Sequence, residues 1–414
     1  MGNQRLCILR RRSGEWVTAA AERIAHIRCV CPNHHDTRTA SFARKELRAS
    51  DAFACAAGAM AERDMRIGFA RCNQRRSKRF MDKEENPMLL DVVAIGELLV
   101  DLTGIATDRD GYPTFAAHPG GAPCNFLAAL SRFGARSAFI GKVGDDAFGR
   151  LLKNTLADAG IETRGLIMDP DVFTTLAFVS LDAHGERVFS FARKPGADTR
   201  LRPEELDLSL IDAARILHFG SLSLTGEPAR SATRRAVAFA KERGKWVTFD
   251  PNLRVQLWPS EQAAREQILW GLGRADVVKI SGEEVAFLWT CSAEEGAKRL
   301  VHAFGVRLAM VTLGAEGCLL MTAKASCRIK PPAVSPVDTT GAGDIFGGSA
   351  VFHLLELGRA PEELMADELA QIGRFAAAAA SLSTERSGGM QSVPSLETVR
   401  ANMSRSQIVS QCCI

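Results

Sequence analysis

The segment PVDTTGAGDIFGGSAVFHLLELG, Pro336 to Gly358, sets small residues and one carboxylate where an apolar helix begins. Ile345, Phe346, Ala350, Val351, Leu354 and Leu355 follow helical spacing, and Gly358 closes the run. Gly341, Ala342 and Gly343 leave the first-turn N–H groups of that helix clear of side-chain bulk. Such an end carries about half a positive charge and binds anions, phosphate above all. Asp344 stands beside it. A capping aspartate explains this residue without chemistry. A carboxylate next to an anion site also suits phosphoryl transfer to an alcohol, as a base for the hydroxyl beside N–H donors for the moving charge. Gly347 and Gly348 lie inside the helix, where each costs roughly 1 kcal/mol relative to Ala. Something is therefore expected to approach the backbone there.

Other polar residues say less when taken singly. Asp101 ends an apolar run and reads as a solvated turn residue. Gly120 and Gly121 permit close backbone approach, and Asn125 reads either as a cap or as a contact with both a donor and an acceptor. Arg193 is by default a surface arginine. Asp250, Asn252 and Arg254 fall in DPNLR at a strand end, where an α/β sheet places its ligand crevice. Lys279, Ser281 and Glu284 fall in KISGEE, where Ser281 and Glu284 have capping-box spacing. Thr312, Gly314 and Gly317 form a weak T-x-G-x-x-G pattern. The chain has no G-x-x-x-x-G-K-[ST], so phosphate binding falls to the helix start at Gly341.

The elements that must position these residues begin at Leu89. LLDVVAIGELLVDL reads as a buried strand, APCNFLAALSRFGA as a helix closed by Gly134, RSAFIGKVG as a strand and DDAFGRLLKNTLADAGI as a helix. TTLAFVSLDAHGERVFSF reads as a hairpin turning near His184-Gly185. ARILHFGSLSL, KWVTFDPNLR, ADVVKISGEEV and RLAMVTLGAEGCLLM are further strands with helical stretches between them. This alternation predicts an α/β fold with a parallel, doubly wound sheet. The hairpin and the stretch from Asp101 to Gly120 read as additions over one edge. The first strand leads into GELLVD and not into a G-x-G-x-x-G helix start, which argues against a dinucleotide-binding dehydrogenase.

Charge divides the chain. Residues 1–80 hold 17 Lys and Arg against 7 Asp and Glu, whereas residues 81–414 hold 35 against 41. The basic front, with poor hydrophobic periodicity, is expected to be disordered or to be upstream sequence read from an early start, since Met81 or Met88 would open a complete domain. A targeting or basic interaction arm and a small extra domain are the alternatives. Sparse aromatic interleaving argues against nucleic-acid binding. No apolar run is long enough to span a membrane. The 11 cysteines are scattered and suggest a reducing, cytoplasmic setting. Cys29, Cys31, His34 and His35 do not match a zinc spacing. QCCI has Gln411 where a prenylation box needs Cys.

Two motifs carry a resemblance. GGAPCNFLAALSRFGARSAFIGKVGDDAFG and DTTGAGDIFGGSAV, in that order, are similar to the ribokinase-like (PfkB) family of sugar kinases over residues 88 to about 400. FARKPGAD, DPNLRVQLWPS and VVKISGEEV resemble fructokinases within it. The resemblance implies a mostly parallel sheet flanked by helices, a small β lid near residues 101–120 and 173–193, and a tail over residues 401–414. It implies ATP and Mg²⁺, and often K⁺. By the same resemblance Asp344 is the catalytic base, and Gly341, Ala342 and Gly343 form the anion hole. Asp101, Gly120, Gly121 and Asn125 meet the sugar, and Arg193 faces the sugar or the phosphate. Asp250, Asn252 and Arg254 wall the site. Lys279, Ser281, Thr312, Gly314 and Gly317 serve the nucleotide. Glu284 orients Mg²⁺ through water, and Asp338, Thr340, Gly388 and Ser392 ring a monovalent cation. Ala192 replaces a common Tyr, and the tract FAAAAASLSTERSGGM lacks an Asn that often contacts adenine. The implied activity is ATP-dependent phosphorylation of fructose to fructose 6-phosphate. A 2-keto-3-deoxygluconate kinase and a non-catalytic relative are the alternatives. A homodimer through the lid is the implied assembly.

Overall fold

A computed structural model describes residues 89–181 and 187–413. The expectations for residues 1–80 and for the His184-Gly185 turn lie outside them. From β1 (Leu90–Ile95) the chain runs through β2 (Leu99–Thr107), β3 (Pro113–Gly120), α1 (Ala122–Arg132), β4 (Ser137–Gly144), α2 (Ala147–Asp158) and β5 (Ile161–Asp169). It continues through β6 (Leu176–Leu181), β7 (Arg187–Ala192), α3 (Leu208–Ala213), β8 (Ala214–Gly220), α4 (Ala229–Glu242), β9 (Trp246–Asp250), α5 (Glu261–Leu272) and β10 (Val277–Ser281). It closes with α6 (Gly282–Trp289), α7 (Ala293–Ala303), β11 (Leu308–Thr312), β12 (Cys318–Met321), β13 (Ala325–Lys330), α8 (Ala342–Leu357), α9 (Ala366–Ser383), α10 (Leu396–Asn402) and β14 (Gln407–Cys413).

The main sheet has the order β14-β13-β12-β11-β10-β9-β8-β1-β4-β5. It is parallel from β11 to β5, and β12, β13 and β14 join antiparallel. In β1, Val93 and Ile95 join the core formed with α3, α4, α5, α6 and α7, while Val92 and Ala94 join that formed with α1, α2, α8, α9 and α10. A strand covered by helices on both faces must be apolar on both, which is why the central strands read as continuous apolar runs. The second sheet has the order β3-β2-β6-β7.

Two expectations need correction. LLDVVAIGELLVDL is not one strand: it divides into β1 in the main sheet and β2 in the small one. The break falls where an ideal Cβ on Gly96 would lie 2.7 Å from Cγ of Pro123, so the chain passes against the start of α1 and changes sheet. Residues beyond 400 are not merely a tail, because β14 pairs with β13 from Lys330↔Gln407 to Ala325↔Cys413 and extends the main sheet. The glycines inside α8 do permit a close approach. A Cβ on Gly348 would lie 2.3 Å from the carbonyl oxygen of Phe126, and one on Gly347 would lie 3.4 Å from the Phe126 ring. The neighbour is α1, which thereby reaches the start of α8.

Candidate active site

The close packing of α1 on α8 carries Asn125 to Asp344, and Nδ2 of Asn125 donates to Oδ2 of Asp344 at 2.9 Å. Oδ1 of Asn125 is buried and has no partner among the described residues. Gly341 caps α8 with φ +76, in the left-handed region that glycine enters without steric cost. No side chain caps this end, and the first-turn N–H groups of a helix lack intrahelical acceptors. Gly343 faces Lys279: a Cβ there would sit 2.9 Å from Nζ. Lys279 reaches this point from β10 and pairs with Oδ2 of Asp250 at 3.1 Å, both side chains being about a tenth exposed or less.

Two cavities meet here. The smaller, about 310 Å³, is lined by Asp101, Gly121, Asn125, Asn252, Arg254 and Asp344 among others. The larger, about 600 Å³, is lined by Ser281, Thr312, Gly314, Gly317, Lys330 and Ala342 among others. Lys279, Thr339 and Gly343 border both. Asp344 thus faces the smaller cavity from the junction, next to a helix start and a buried ammonium group. A hydroxyl brought to Asp344 and a phosphate brought to Gly343 would be neighbours.

The charges around the junction are crowded. Burial pushes the Asp344 carboxyl above its usual range, against the pull of Lys279, the Asn125 hydrogen bond and Arg254. Burial likewise raises Asp101 to about 6, opposed by Arg254 and helped by Asp344 and Asp338. Burial works against the Lys279 charge, but Asp250, Glu284 and Asp344 outweigh it and hold the ammonium group above the ordinary lysine range. Behind the pair, His218 is buried and stacks on Phe126 at 3.7 Å, and burial lowers it to about 3, so it is neutral core. Asn252 adopts φ +42, which Asn tolerates better than most residues, and its N–H bonds to Oδ1 of Asp250 at 3.2 Å.

The family model for pfkB family carbohydrate kinases matches residues 89–396. The chain belongs to the pfkB family of carbohydrate kinases. It is 40% identical over 316 residues to probable fructokinase-4 of Arabidopsis thaliana, covering 75% of this chain and 95% of that protein. A solved fructokinase of Xylella fastidiosa with bound ATP has a TM-score of 0.70 at 31% identity, covering 76% of this chain and 98% of that one. A fructokinase of Vibrio cholerae O395 in a form with fructose, ADP and calcium ion has a TM-score of 0.68 at 36% identity, covering 76% and 99%.

Within this sugar kinase the sequence-derived residues fall into groups. Asp344, Gly341, Ala342, Gly343, Asp101, Gly121, Asn125, Asn252, Arg254, Lys279, Ser281, Thr312, Gly314 and Gly317 all border one or both cavities. Gly120 does not, but a Cβ there would lie 2.3 Å from Oδ2 of Asp101, so the glycine makes room for that carboxylate. Asp250 borders neither of these two cavities and pairs with Lys279, which borders both. Glu284 accepts from the Leu253 N–H at 2.7 Å and the Ser281 N–H at 2.8 Å, one at each oxygen, and Ser281 caps α6 in return. Its carboxylate therefore braces the DPNLR loop. Arg193 does not border either cavity. Its guanidinium bonds to Asp198 at 2.7–2.8 Å, to Thr225 at 3.0 Å and to the Leu222 carbonyl at 3.0 Å. The arginine was legible as part of a motif, but not its burial by Asp198 five residues on.

Asp338 joins the proposed cation residues, accepting from the Thr340 N–H at 2.8 Å and from the Gly388 N–H at 3.1 Å. Ser392 is buried nearby in sequence, and its hydroxyl donates to the Gly389 carbonyl at 2.8 Å. Among the described residues no group of three or more His, Cys, Asp or Glu side chains is arranged to hold a metal. Sequence reading missed Glu97, Phe191 and Leu222 in the smaller cavity and Lys330, Val334 and Phe346 in the larger. Glu97 had a signal, a carboxylate inside an apolar run, which is costly unless it has work to do.

Proposed function

We propose that the protein transfers the γ-phosphoryl group of ATP to the primary hydroxyl of fructose, giving fructose 6-phosphate and ADP. The observation that carries this reading is the junction of two cavities at Lys279 and Gly343 with Asp344 on one side. Fructose would occupy the smaller cavity, where Asp101 and Asn125 suit its hydroxyls, and ATP the larger. Asp344 takes the hydroxyl proton, the freed oxygen bonds to the γ-phosphorus, and the bond from that phosphorus to the bridging oxygen breaks. The start of α8 and the Lys279 ammonium group face the transferring charge, as electrostatic preorganisation requires. Mg²⁺ fits as an ion that arrives with the nucleotide and keeps most of its waters, since among the described residues no carboxylate cluster is arranged for it and Glu284 is engaged by backbone N–H groups. When bound it would neutralise phosphate charge, with Glu284 acting on it only through water. K⁺ would suit the oxygen-rich setting of Asp338, Thr340, Gly388 and Ser392.

The fructokinases resembled support fructose over 2-keto-3-deoxygluconate. So does the smaller cavity: Arg193 is engaged elsewhere, and Arg254 stands among Asp101, Asp344 and Glu97, a poor setting for a substrate carboxylate. A non-catalytic role fits poorly with an intact Asp344 beside Gly341 and Gly343. Among the described residues no helix is long and apolar enough to cross a membrane, and the free cysteines Cys124, Cys291, Cys318, Cys327 and Cys412 suit a reducing compartment such as the cytoplasm. Pairing of two copies through the small sheet would cover Ile105, Phe115 and Phe178, which are exposed. The test is phosphoryl transfer over fructose, ribose and 2-keto-3-deoxygluconate, with and without K⁺. Turnover of the sugar acid in preference to fructose would overturn the substrate, and turnover of none would overturn the reading.

A further inference from the structure

The chain crosses between the main body and the small sheet four times, and buried polar side chains tie these crossings together. Glu97 lies on the first, between β1 and β2, and its Oε1 accepts the N–H of Ala122 at 3.1 Å, just after the second crossing from β3 into α1. Thr175 lies on the third, immediately before β6, and its hydroxyl donates to Oδ1 of Asp198. Arg193 lies on the fourth, immediately after β7, and its Nε donates to Oδ2 of Asp198 at 2.8 Å. Asp198 therefore holds both ends of the β6–β7 hairpin with its two oxygens. Arg193 also anchors to the Leu222 carbonyl at 3.0 Å, and Leu222 lines the smaller cavity. The side chains of Arg193 and Asp198 are 5% and 1% exposed, so the pair works in a low-dielectric setting where losing one partner strands a charge.

The placement has an asymmetric consequence. Leu99 and Asp101 of β2 and Phe191 of β7 line the smaller cavity, so that cavity lies between the small sheet and the body. Among the described residues, none of β2, β3, β6 or β7 lines the larger cavity. A change in how the small sheet is held would reach one substrate and not the other.

We propose that Asp198, Arg193, Thr175 and Glu97 are positioning residues that set the small sheet over the sugar cavity and so control sugar affinity while leaving nucleotide affinity alone. This rests on the reading that the smaller cavity takes the sugar. Asp198→Asn keeps the size of the side chain and removes the charge. Thr175→Val removes one hydroxyl and keeps the ion pair, and Thr175→Ser restores the hydroxyl.

In the full chain, Asp198→Asn is expected to raise the KM for fructose by about tenfold or more, with the KM for ATP and the kcat at saturating sugar within about threefold of wild type. Thr175→Val is expected to raise the fructose KM less, and Thr175→Ser to return it to the wild-type value. A second readout needs no turnover. Amide exchange in β2, β3, β6 and β7 is expected to rise about fivefold or more in Asp198→Asn, with β8 to β11 unchanged. Unchanged exchange in the small sheet, or exchange that rises equally throughout, would overturn the clamp whatever the substrate. Altered exchange with an unchanged fructose KM, or with both KM values moving together, would overturn its role in sugar affinity. Absence of wild-type turnover on any sugar would instead count against the kinase reading, and the exchange experiment would still decide the clamp.

Discussion

Gly343→Ala separates what the start of α8 does for the fold from what it does for the reaction. Gly343 lies in the first turn of α8. A methyl group there would meet Nζ of Lys279 at 2.9 Å and Cε at 3.5 Å, with nothing else within 4 Å outside its chain neighbours and its own helix backbone. The obstacle is the tip of a flexible side chain, so the ammonium group can retreat by a few tenths of an ångström without moving the backbone. Helix propensity favours Ala over Gly by up to about 1 kcal/mol, so the melting temperature should hold or rise. The reaction should fare differently. The methyl group occupies the point where the two cavities meet and displaces the ammonium group that, under the proposed function, faces the transferring phosphoryl group. Outright removal of one preorganised donor from such a site costs about 10²–10³ in kcat, roughly 3–4 kcal/mol, and displacing the ammonium group while every donor remains is expected to cost part of that, about tenfold or more. The assay is ADP release at saturating fructose and ATP, with a thermal melt on the same sample. A kcat within about threefold of wild type would show that phosphoryl charge does not develop at Gly343.

The other expectations address the base, the helix contact and the buried carboxylate. Asp344→Asn should keep sugar and ATP binding, since an amide oxygen can still accept from Asn125, and should lower kcat by about 10²–10⁴; more than about a tenth of wild-type turnover would reject Asp344 as the base. Because burial raises Asp344, the acid limb of the wild-type kcat profile should lie above the ordinary aspartate range, and a limb inside that range would contradict the site described. Gly348→Ala should destabilise by about 1–3 kcal/mol, because its methyl group would fall 2.3 Å from the carbonyl oxygen of Phe126, a rigid backbone atom. Denaturant unfolding measures this, and unchanged stability would mean that α1 and α8 do not pack so closely. Glu97 faces Arg193, Asp198 and the Cys124 thiol, and burial raises it from 4.5 to about 7. The native state then keeps a proton that the unfolded chain releases, so this contribution is full below pH 4.5 and is lost as pH rises through about 7. Glu97→Gln should remove that loss, worth roughly 3 kcal/mol at most by pH 8. Parallel stability curves for variant and wild type from about pH 5 to about pH 8 would reject the shift.

What could be read in the chain before its structure follows from how local each feature is. The start of α8 was legible because small residues in one turn mark a helix end, and Gly341, Ala342, Gly343 and Asp344 are contiguous. The α/β class was legible because strands buried on both faces leave continuous apolar runs. The split of the first run was not: a residue that leaves one sheet for another at Gly96 is as apolar in its flanks as one that stays. Nor was the end of the chain, since β14 is a strand only because β13 lies beside it.

The arginine in FARKPGAD shows the limit most clearly. Its position after a hairpin was readable, and a cation near a phosphate enzyme's cleft invites assignment to the ligand. The deciding fact is that Asp198 and Thr175, 5 and 18 residues from Arg193 along the chain, converge on one buried point. A carboxylate that already answers a buried guanidinium holds it outside both cavity linings, and only three-dimensional proximity reveals that. The same logic runs the other way for Lys279: it has a carboxylate partner in Asp250, yet Asp344 and Glu284 also face it, so the carboxylates outnumber the cation. A buried ammonium group with more negative neighbours than it can neutralise, placed at the border of two cavities, stays charged over the pH range of the reaction. Under the proposed function Lys279, which borders both cavities, is the cation placed to meet an incoming phosphate, whereas Arg193 borders neither.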